Sequence, residues 1–502
     1  MVHQHRSYFQ QQRKGDLEEL VENPAMLYYL SHRRRSSTVL LRLIFLFSFI
    51  SCFLLFYPRP FSYSLMTEEE AELRARSQEE RWAIPCSSFP NNTICCDRAA
   101  FRTDVCFLRG DVRTHSSSNS IFLLTNSTNP IEERIRPYTR KWEAAVMNTI
   151  DELRLRAIPS NADESPAPRC DVHHDVPAVV FSTGGYTGNV YHEFNDGLIP
   201  LYITSQHFNR KVVFVMLEYH HWWMTKYRHV ISRLSDYPPI DFSGDRRIHC
   251  FPETVVGLKI HDELTIDPSR MDNNNNNKKS ILDFRDLLDE AYKPRVMAID
   301  GEESHSSRLS SKSQKPKLVI VSRNGSRAIE NERELANSAE ELGFRVQVLR
   351  PKRSTELARI YRALNSCDAM VGVHGAAMTH FLFMRPGSVF IQIVPLGTDW
   401  AAETYYGEPA KKLGLHYLAY KILPGESSLY QKYSKNDPVL QDPDGVNAKG
   451  WQVTKKVYLD GQNVRLDLDR FRRHLAGAYQ YLALRRMRKK KHKLISFGSS
   501  VV

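Results

Sequence analysis

Short apolar runs alternate with amphipathic segments between residues 317 and 394. The runs are rich in β-branched residues and predict buried strands, whereas the segments between them have helical periodicity. The strands are predicted at residues 317–322, 344–349, 369–373 and 388–394, and the helices at 331–342 and 354–365. This alternation predicts a parallel sheet with right-handed crossovers, which binds its ligand beyond the carboxyl ends of the strands.

Two loops of this predicted sheet would face the same crevice. The loop after the first strand contains Arg323 and Arg327, and the loop after the third contains His374, Gly375 and Ala376. Two guanidinium groups, an imidazole and free N–H groups at a helix start suit a diphosphate. The alternative is an ordinary tight turn beside two surface arginines. We predict an anion site at these residues.

The preceding part of the chain predicts a second α/β unit. Its segments are a buried strand at 176–181, a glycine-rich loop at 182–188, a helix at 190–207 and a strand at 211–217. A polar segment at 301–314 is interpreted as the join to the second sheet. Roughly four hundred residues exceed what one core usually serves. We therefore predict two α/β domains facing a cleft, at residues 86–314 and 315–484.

Residues able to move a proton occur together near the start of the helix at 190–207. His192 and Asp196 are four positions apart and would share one helix face, with Glu193 beside them. A hydroxyl that attacks carbon must lose its proton to an imidazole or a carboxylate within hydrogen-bond reach. Glu403, after the last strand of the second sheet, is another candidate base. A surface or capping pair is the alternative for His192 and Asp196, and the choice of base stays open.

Aromatic residues near this motif predict a sugar-binding surface, because ring faces pack on sugar rings. Tyr219, Trp222 and Trp223 follow the strand at 211–217, and Tyr191 precedes His192. The alternative is that these rings fill the core, which their apolar character supports equally well.

An apolar run near the start of the chain predicts a membrane anchor. Residues 38–57 contain one charge, Arg42, and about twenty apolar residues can cross a bilayer. Three arginines before this run predict that its N-terminal side stays in the cytosol. A cleaved signal peptide is the alternative, but no small-residue cleavage site follows the run. We predict a type II membrane protein with a cytosolic tail at 1–37, an anchor at 38–57 and a stem at 58–85.

The spacing of the cysteines agrees with a chain that folds in the oxidising lumen of the secretory pathway. Four cysteines lie close together and predict local disulfides: Cys86, Cys95, Cys96 and Cys106. A zinc knuckle is the alternative, but no histidine has ligand spacing among them. Cys367 is predicted to be a buried free thiol. Potential glycosylation sites occur at Asn91, Asn126 and Asn324.

The net charge of +12 does not indicate a nucleic-acid partner. Part of it lies in the arginines before residue 38 and part in a basic tail at 485–502, which we predict to be solvated.

Asp-x-Asp sequences at 442–444 and 467–469 lie outside the α/β repeats. Arginines and helix-end donors can neutralise an anionic leaving group without a divalent ion. We therefore predict that no metal or other cofactor is required.

Three segments carry a family resemblance: residues 190–196, 321–327 and 371–388. With them, the chain from about residue 86 into the 480s resembles glycosyltransferase family 61, and more narrowly its plant members that add arabinose or xylose to xylan. The resemblance implies a GT-B fold of two Rossmann-like domains, a nucleotide-sugar donor and inversion of the anomeric centre. It places the anion loops at the donor diphosphate and the His192 motif at the domain cleft.

The resemblance also implies a Golgi type II enzyme. Its expected reaction is transfer of a pentose from UDP-arabinofuranose or UDP-xylose onto xylan. An N-glycan xylosyltransferase of the same family is one alternative. A non-catalytic Golgi partner that binds polysaccharide is another.

Overall fold

The computed structural model describes residues 86, 89–126, 131–160, 168–271, 278–304 and 315–498, with no side chains beyond 489. The predicted cytosolic tail, anchor and stem lie outside these residues. Among the described helices, none has both the length and the hydropathy that a membrane span requires. The described residues all belong to one compact unit, which contains both predicted α/β parts.

The N-terminal part of this unit contains a mixed sheet. Its strands are β1 (Thr93–Asp97), β2 (Val105–His115), β3 (Ser120–Thr125), β4 (Ile131–Ile135), β5 (Leu153–Pro159), β6 (Val172–His173), β7 (Ala178–Ser182), β8 (Val213–Leu217), β9 (Ile240–Asp241) and β10 (His249–Val256). The order is β4-β5-β3-β2-β10-β7-β8-β9, with β1 paired to β2 and β6 to β10. Strand β10 runs parallel to β7 but antiparallel to β2. The two strands predicted here, β7 and β8, do pair in parallel, but they belong to a larger mixed sheet and not to the fully parallel sheet of a Rossmann-like domain.

The C-terminal sheet is parallel throughout, which confirms the prediction. Its strands are β11 (Lys317–Val321), β12 (Arg345–Leu349), β13 (Ala369–Val373), β14 (Val389–Val394) and β15 (His416–Lys421). Strands β13 and β14 are buried along their whole length, as expected of central strands in a parallel sheet. The order β12-β11-β13-β14-β15 reverses direction between β11 and β13. Doubly wound sheets bind their ligands at such a switch point.

Helical segments connect and cover the strands. The α-helices are Ala144–Met147, Val190–His192, Ile199–Ser205, His221–Leu234, Ile281–Ser304, Glu332–Glu341, Leu357–Asn365, Asp399–Ala402, Glu408–Lys412, Pro438–Gln441, Pro443–Asn447, Trp451–Thr454 and Leu468–Gly498. The π-helical segments are Glu193–Leu198, Glu403–Gly407 and Lys455–Leu459. The 3₁₀-helices are Ser116–Ser118, Gln206–Phe208, Pro268–Arg270, Ala376–Phe383, Pro424–Glu426 and Ser428–Gln431.

Helix Ile281–Ser304 joins the two halves. It packs against His221–Leu234 of the N-terminal part and against Leu357–Asn365 of the C-terminal part. Phe284 of this helix belongs to one apolar cluster with side chains from both halves. Arg285 donates from Nε to the carbonyl oxygen of Met384 at 2.9 Å. The helix thereby holds Met384, which follows the 3₁₀-helix that begins at the predicted anion loop.

Disulfides stabilise the N-terminal sheet. They join Cys86 to Cys95, Cys96 to Cys106 and Cys170 to Cys250. The predicted local disulfides are confirmed, and Cys367 is the buried free thiol that the sequence predicts.

The predicted solvated tail is partly docked. Helix Leu468–Gly498 continues into it, because no glycine or proline interrupts the first part of the basic run. Arg485 donates from Nη2 to the carbonyl oxygen of Pro386 at 2.7 Å, and Arg486 pairs with Asp368 at 3.0 Å. These two arginines therefore hold the helix on the C-terminal sheet.

Candidate active site

The helix predicted at 190–207 is present, but its middle is widened. Its successive segments are Val190–His192, Glu193–Leu198 in π conformation, Ile199–Ser205 and Gln206–Phe208. Asn189 caps its start, since its Oδ1 accepts a hydrogen bond from the N–H of Tyr191 at 3.1 Å. π-helical turns inside helices are frequent at functional sites.

His192 and Asp196 contact each other on one helix face, as their spacing predicts. The distance from His192 Nδ1 to Asp196 Oδ2 is 2.6 Å. Asp196 also accepts hydrogen bonds from Arg140 Nε at 2.8 Å and Asn195 Nδ2 at 2.7 Å. Burial alone would raise the pKa of Asp196, but the hydrogen bond from His192 and the charge of Arg140 outweigh it and lower that pKa. Asp196 is therefore ionised, and its fully buried side chain orients His192.

These contacts assign the tautomer of His192. Nδ1 donates its proton to the Asp196 carboxylate, although Arg140 Nη2 also lies 3.1 Å from it. The other ring nitrogen, Nε2, then carries the lone pair of a potential base. Tyr186 stacks on the imidazole with ring centroids 4.1 Å apart. The His192 side chain is 15% exposed, so a ligand can reach it.

Glu193 lines a narrow pocket with His192 and Gly197. Its carboxylate accepts hydrogen bonds from the N–H of Gly188 at 2.7 Å and from the indole N–H of Trp223. Burial raises the pKa of Glu193 to about 7, although these hydrogen bonds oppose the shift. Glu193 is therefore partly protonated near neutral pH, unlike Asp196.

The two predicted anion loops lie side by side at the switch point of the C-terminal sheet. Arg323 Nη1 and Arg327 Nη1 approach the carbonyl oxygen of His374 at 3.4 and 3.3 Å. The Nε atom of each arginine is buried without a hydrogen-bond partner in the described part of the chain. Burial lowers the pKa of both guanidiniums, to about 10 for Arg327, where the charge of Arg323 adds to the effect. No carboxylate among the described residues contacts either arginine, so these two adjacent cations are suited to an anion. Arg323, Arg327, His374 and Gly375 are here named the anion corner.

His374 supplies a neutral donor at this corner. Its Nδ1 lies 3.0 Å from Gln392 Nε2, and Gln392 Oε1 accepts a hydrogen bond from the Tyr417 hydroxyl at 2.8 Å. The amide therefore donates to Nδ1, and the imidazole proton is on Nε2. Burial and then the charges of Arg327 and Arg323 lower the pKa of His374 to about 3. The imidazole is therefore neutral and offers an N–H group, not a charge, to the predicted anion.

Gly375 allows the two loops to approach closely. Its φ is 149°, and a Cβ atom there would lie 2.2 Å from Arg323 Nη1 and 3.3 Å from Arg327 Nη1. Ala376 then begins the helix expected after this corner, which is the 3₁₀-helix Ala376–Phe383. The first N–H groups of a helix have no partner further along it, and that of Met378 donates to the carbonyl oxygen of Gly375 at 2.8 Å.

Tyrosine rings join two clusters, the His192–Asp196 pair and the anion corner. The ring centroid of Tyr191 lies 5.4 Å from that of Tyr405 and 5.9 Å from that of Tyr406. Tyr406 in turn lies 5.4 Å from the ring of His374. The helix start at Val190–His192 also packs against Ala376–Phe383. The His192–Asp196 pair and the anion corner are therefore carried by adjoining elements.

Comparison with known proteins agrees with this geometry. The model of the family described as Glycosyltransferase 61 matches residues 190–391, which include both clusters. Xylan glycosyltransferase MUCI21 of Arabidopsis thaliana is 54% identical over 461 residues, which cover 89% of this chain and 92% of the relative. The chain belongs to glycosyltransferase family 61. It is therefore a glycosyltransferase.

Two family 61 relatives from Oryza sativa subsp. japonica are more distant. Beta-1,2-xylosyltransferase XYXT1 is 37% identical and matches 78% of this chain and 85% of its own. Alpha-1,3-arabinosyltransferase XAT3 is also 37% identical and matches 77% and 65%. Among solved structures, the bacterial iron-containing dodecameric glycosyltransferase TibC from enterotoxigenic E. coli has 12% identity and a TM-score of 0.25, covering 62% of this chain and 80% of that one. So low a TM-score supports no argument, and the GT-B arrangement stays a prediction.

The aromatic residues predicted to bind the acceptor have different environments in this family 61 protein. Trp222 is 44% exposed and stacks on His220 with ring centroids 6.0 Å apart, whereas Trp223 is 1% exposed and packs in the core. Tyr219 is half-buried against the same core, and Tyr191 is buried beneath Tyr405. Trp222 alone among these four presents an exposed face.

Glu403, the other candidate base, lies in the π-helical segment Glu403–Gly407. Its carboxylate pairs with Lys411 Nζ at 2.5 Å, and its side chain is 44% exposed. Glu403 therefore lies at the surface in an ion pair with Lys411.

The three sequon asparagines of this family 61 protein, Asn91, Asn126 and Asn324, are all exposed. Asn324 lies between the two arginines of the anion corner, and use of any of the three sites stays a prediction.

Three further residues contact the candidate site and were not predicted. Arg140 bonds Asp196 from another loop, Gln392 fixes the tautomer of His374, and Tyr406 lies between the clusters. Gln392 could have been predicted, because it is a polar residue within the apolar strand β14 and a buried amide requires hydrogen-bond partners. No pattern in the sequence indicates Arg140 or Tyr406.

The described residues bring one group of potential metal ligands together, namely Cys170, His173 and Cys250. The two cysteines form a disulfide and therefore supply no thiolate. Activity of this family 61 enzyme without a metal stays a prediction.

Proposed function

We propose that this enzyme transfers a pentose, arabinofuranose or xylose, from a UDP-sugar onto xylan with inversion of the anomeric centre. The xylan, xylosyl and arabinosyl names of its relatives support this choice of sugar and acceptor. The observation that carries the proposal is the pair of partly buried arginines, Arg323 and Arg327, which no carboxylate of the described residues contacts. They lie against the carbonyl oxygen of His374, and the 3₁₀-helix that follows His374 packs against the helix start that carries His192.

The donor diphosphate lies at the anion corner in the proposed reaction. Its charge pairs with Arg323 and Arg327, and His374 Nε2–H donates to a phosphate oxygen. As the bond between the anomeric carbon and the diphosphate oxygen breaks, the same donors stabilise the charge of the departing UDP. Because they replace a divalent ion, we expect turnover to persist in excess EDTA. Complete loss of turnover that Mn²⁺ restores would contradict this part of the proposal.

The acceptor hydroxyl attacks the anomeric carbon from the side opposite the leaving UDP, which inverts the centre. The new carbon–oxygen bond forms while the hydroxyl proton moves to His192 Nε2. Asp196 holds the Nδ1 proton and compensates the charge of the imidazolium. The other candidates fit the base less well: Asp196 is fully buried, both Glu193 oxygens accept hydrogen bonds, and Glu403 is ion-paired.

The reaction is tested with UDP-xylose or UDP-arabinofuranose and a xylan oligomer, with products detected by mass spectrometry. We expect one pentose to be added to the oligomer and none to an N-glycan peptide, and the reverse pattern would contradict the proposal. His192→Gln should lower kcat by roughly a hundredfold or more, the range for a lost general base. Wild-type turnover in this variant would remove His192 as the base.

The proposed location is the Golgi membrane, with residues 38–57 as a type II anchor and the enzyme in the lumen. Three disulfides and three exposed sequon asparagines support an oxidising, glycosylating compartment. In sealed microsomes, a C-terminal tag should resist added protease until detergent is present. Digestion of the tag without detergent would contradict this orientation.

A further inference from the structure

Three aromatic rings lead away from His192 across the surface. Tyr186 stacks on His192, and Arg140 lies over the rings of both Tyr186 and Trp142, at 5.7 and 5.1 Å from their centroids. Phe101 then stacks on Trp142 with centroids 5.2 Å apart and planes 14° from parallel. These three rings, Tyr186, Trp142 and Phe101, are here named the aromatic strip. The strip begins at the proposed base and ends in solvent.

Two rings of the aromatic strip are exposed to solvent, whereas Trp142 is half-buried against Phe101 and the guanidiniums of Arg102 and Arg140. Phe101 is 61% exposed and Tyr186 is 37% exposed, although each is stacked on a neighbour. Apolar surface of this kind, when contiguous and continuous with a reactive group, is typical of a binding site. The flat face of a pyranose ring packs on such aromatic faces.

Polar contacts hold the aromatic strip in place. The Tyr186 hydroxyl donates to Glu143 Oε2 at 2.7 Å. The backbone N–H of Lys141 donates to the carbonyl oxygen of Arg102 at 3.1 Å, which ties together the loops that carry the other two rings. A platform that is ordered before binding loses little entropy when a ligand packs on it.

The cations around the aromatic strip already have carboxylate partners. The pairs are Arg140 with Asp196 and Glu143, Arg102 with Glu263, and Lys141 with Asp104. A chain rich in uronic acids would need cations that are free to pair with it. The charge pattern therefore favours a neutral glycan over an acidic one.

We infer that the aromatic strip is the binding surface for the acceptor chain. Neutral pyranose residues pack on the exposed rings of Phe101 and Tyr186, Trp142 supports Phe101 from beneath, and the chain leads the reactive hydroxyl to His192. This inference rests on the proposed function and extends it, because it predicts that the enzyme selects acceptors by length and by lack of charge.

The length dependence is measured by comparing kcat/KM for xylohexaose with kcat/KM for xylobiose. In the wild-type enzyme we expect the longer acceptor to be better, mainly through a lower KM. Phe101→Ala should reduce this preference by roughly tenfold, about the contribution of one stacked ring. Phe101→Tyr keeps a ring and should restore the preference. Trp451→Ala is the matched control, since Trp451 is 50% exposed but lies outside the strip.

A second measurement separates failure of the strip from failure of the proposed function. Affinity electrophoresis without donor should show binding to neutral arabinoxylan that Phe101→Ala weakens and Trp451→Ala does not. Tighter binding to polygalacturonate than to arabinoxylan would overturn the inference. So would an unchanged length preference in Phe101→Ala. If the wild-type enzyme transfers no pentose to either xylo-oligomer but still binds arabinoxylan through Phe101, the proposed reaction fails while the binding surface stands.

Discussion

Gly375 lies directly against the guanidinium groups of the anion corner. A methyl group at this position would lie 2.2 Å from Arg323 Nη1, and its φ of 149° disfavours residues other than glycine. We expect Gly375→Ala to displace the guanidinium and to weaken UDP binding by roughly tenfold or more in calorimetric titration. Gly477→Ala is the control, because no atom lies within 4 Å of its Cβ position. Wild-type UDP affinity in the Gly375 variant would contradict the assignment of this corner.

Glu193 makes stability depend on pH. Its pKa rises to about 7 in the folded protein, from 4.5 as the ordinary value. The folded state therefore binds more protons than the unfolded state between these pH values, and stability falls as pH rises through this window. We expect the wild-type Tm to fall more steeply than that of Glu193→Gln between pH 4.5 and 7. Parallel Tm profiles of the two proteins would show that Glu193 does not titrate in this way.

The sequence predicts side-chain contacts where they are local in the chain. The contact between His192 and Asp196 follows from a spacing of four in a helix, and this prediction is confirmed. Arg140 reaches the same carboxylate from 56 positions away, a distance at which no periodicity applies. The neutral state of His374 was also beyond the sequence, because it depends on burial and on two neighbouring charges.

At the scale of elements, the π-helical segment Glu193–Leu198 offers a test of the pocket. No atom lies within 4 Å of a Cβ at Gly197, which lines the pocket beside Glu193. Glycine inside a helix costs roughly 0.5–1 kcal/mol relative to alanine, so Gly197→Ala should raise Tm. If the acceptor enters this pocket, the added methyl group should also raise the acceptor KM. A lower Tm would contradict the open space, and an unchanged KM would exclude this pocket from acceptor binding.

The strands of the parallel sheet were the most predictable elements. Residues 369–373 are β13 with the predicted bounds, because a fully buried strand is a continuous apolar run between turn residues. The π-helical turn was not predictable, since its apolar pattern is that of an ordinary helix. The mixed sheet was missed because β2 and β10 pair across about two thirds of the predicted N-terminal domain, with Cys106 opposite Val256. Pairing of distant strands depends on register and burial that short windows of sequence do not contain.

At the scale of the molecule, the length of the chain predicts two hydrophobic cores. The apolar contacts between the N-terminal and C-terminal parts determine which of their faces pack together. One cluster contains Trp223 from the N-terminal part, Phe284 from the connecting helix and Phe383 from the C-terminal part. The helix that carries His192 and the 3₁₀-helix after the anion corner pack within this shared region. The two halves of the candidate site are therefore positioned by one apolar core.

The disulfide between Cys170 and Cys250 should contribute most to the stability of this unit. It links residues 80 positions apart, whereas Cys96 and Cys106 are 10 apart and already face each other in paired strands. A longer closed loop removes more entropy from the unfolded chain, by about 4–5 kcal/mol against about 3 kcal/mol for the short one. We expect Cys170→Ala with Cys250→Ala to lower the urea midpoint more than Cys96→Ala with Cys106→Ala, under non-reducing conditions. The loop that it closes includes the whole His192 helix, so acceptor turnover should decline at a lower urea concentration in the first variant. Equal urea midpoints in the two double variants would contradict the prediction that the longer disulfide loop contributes more to stability.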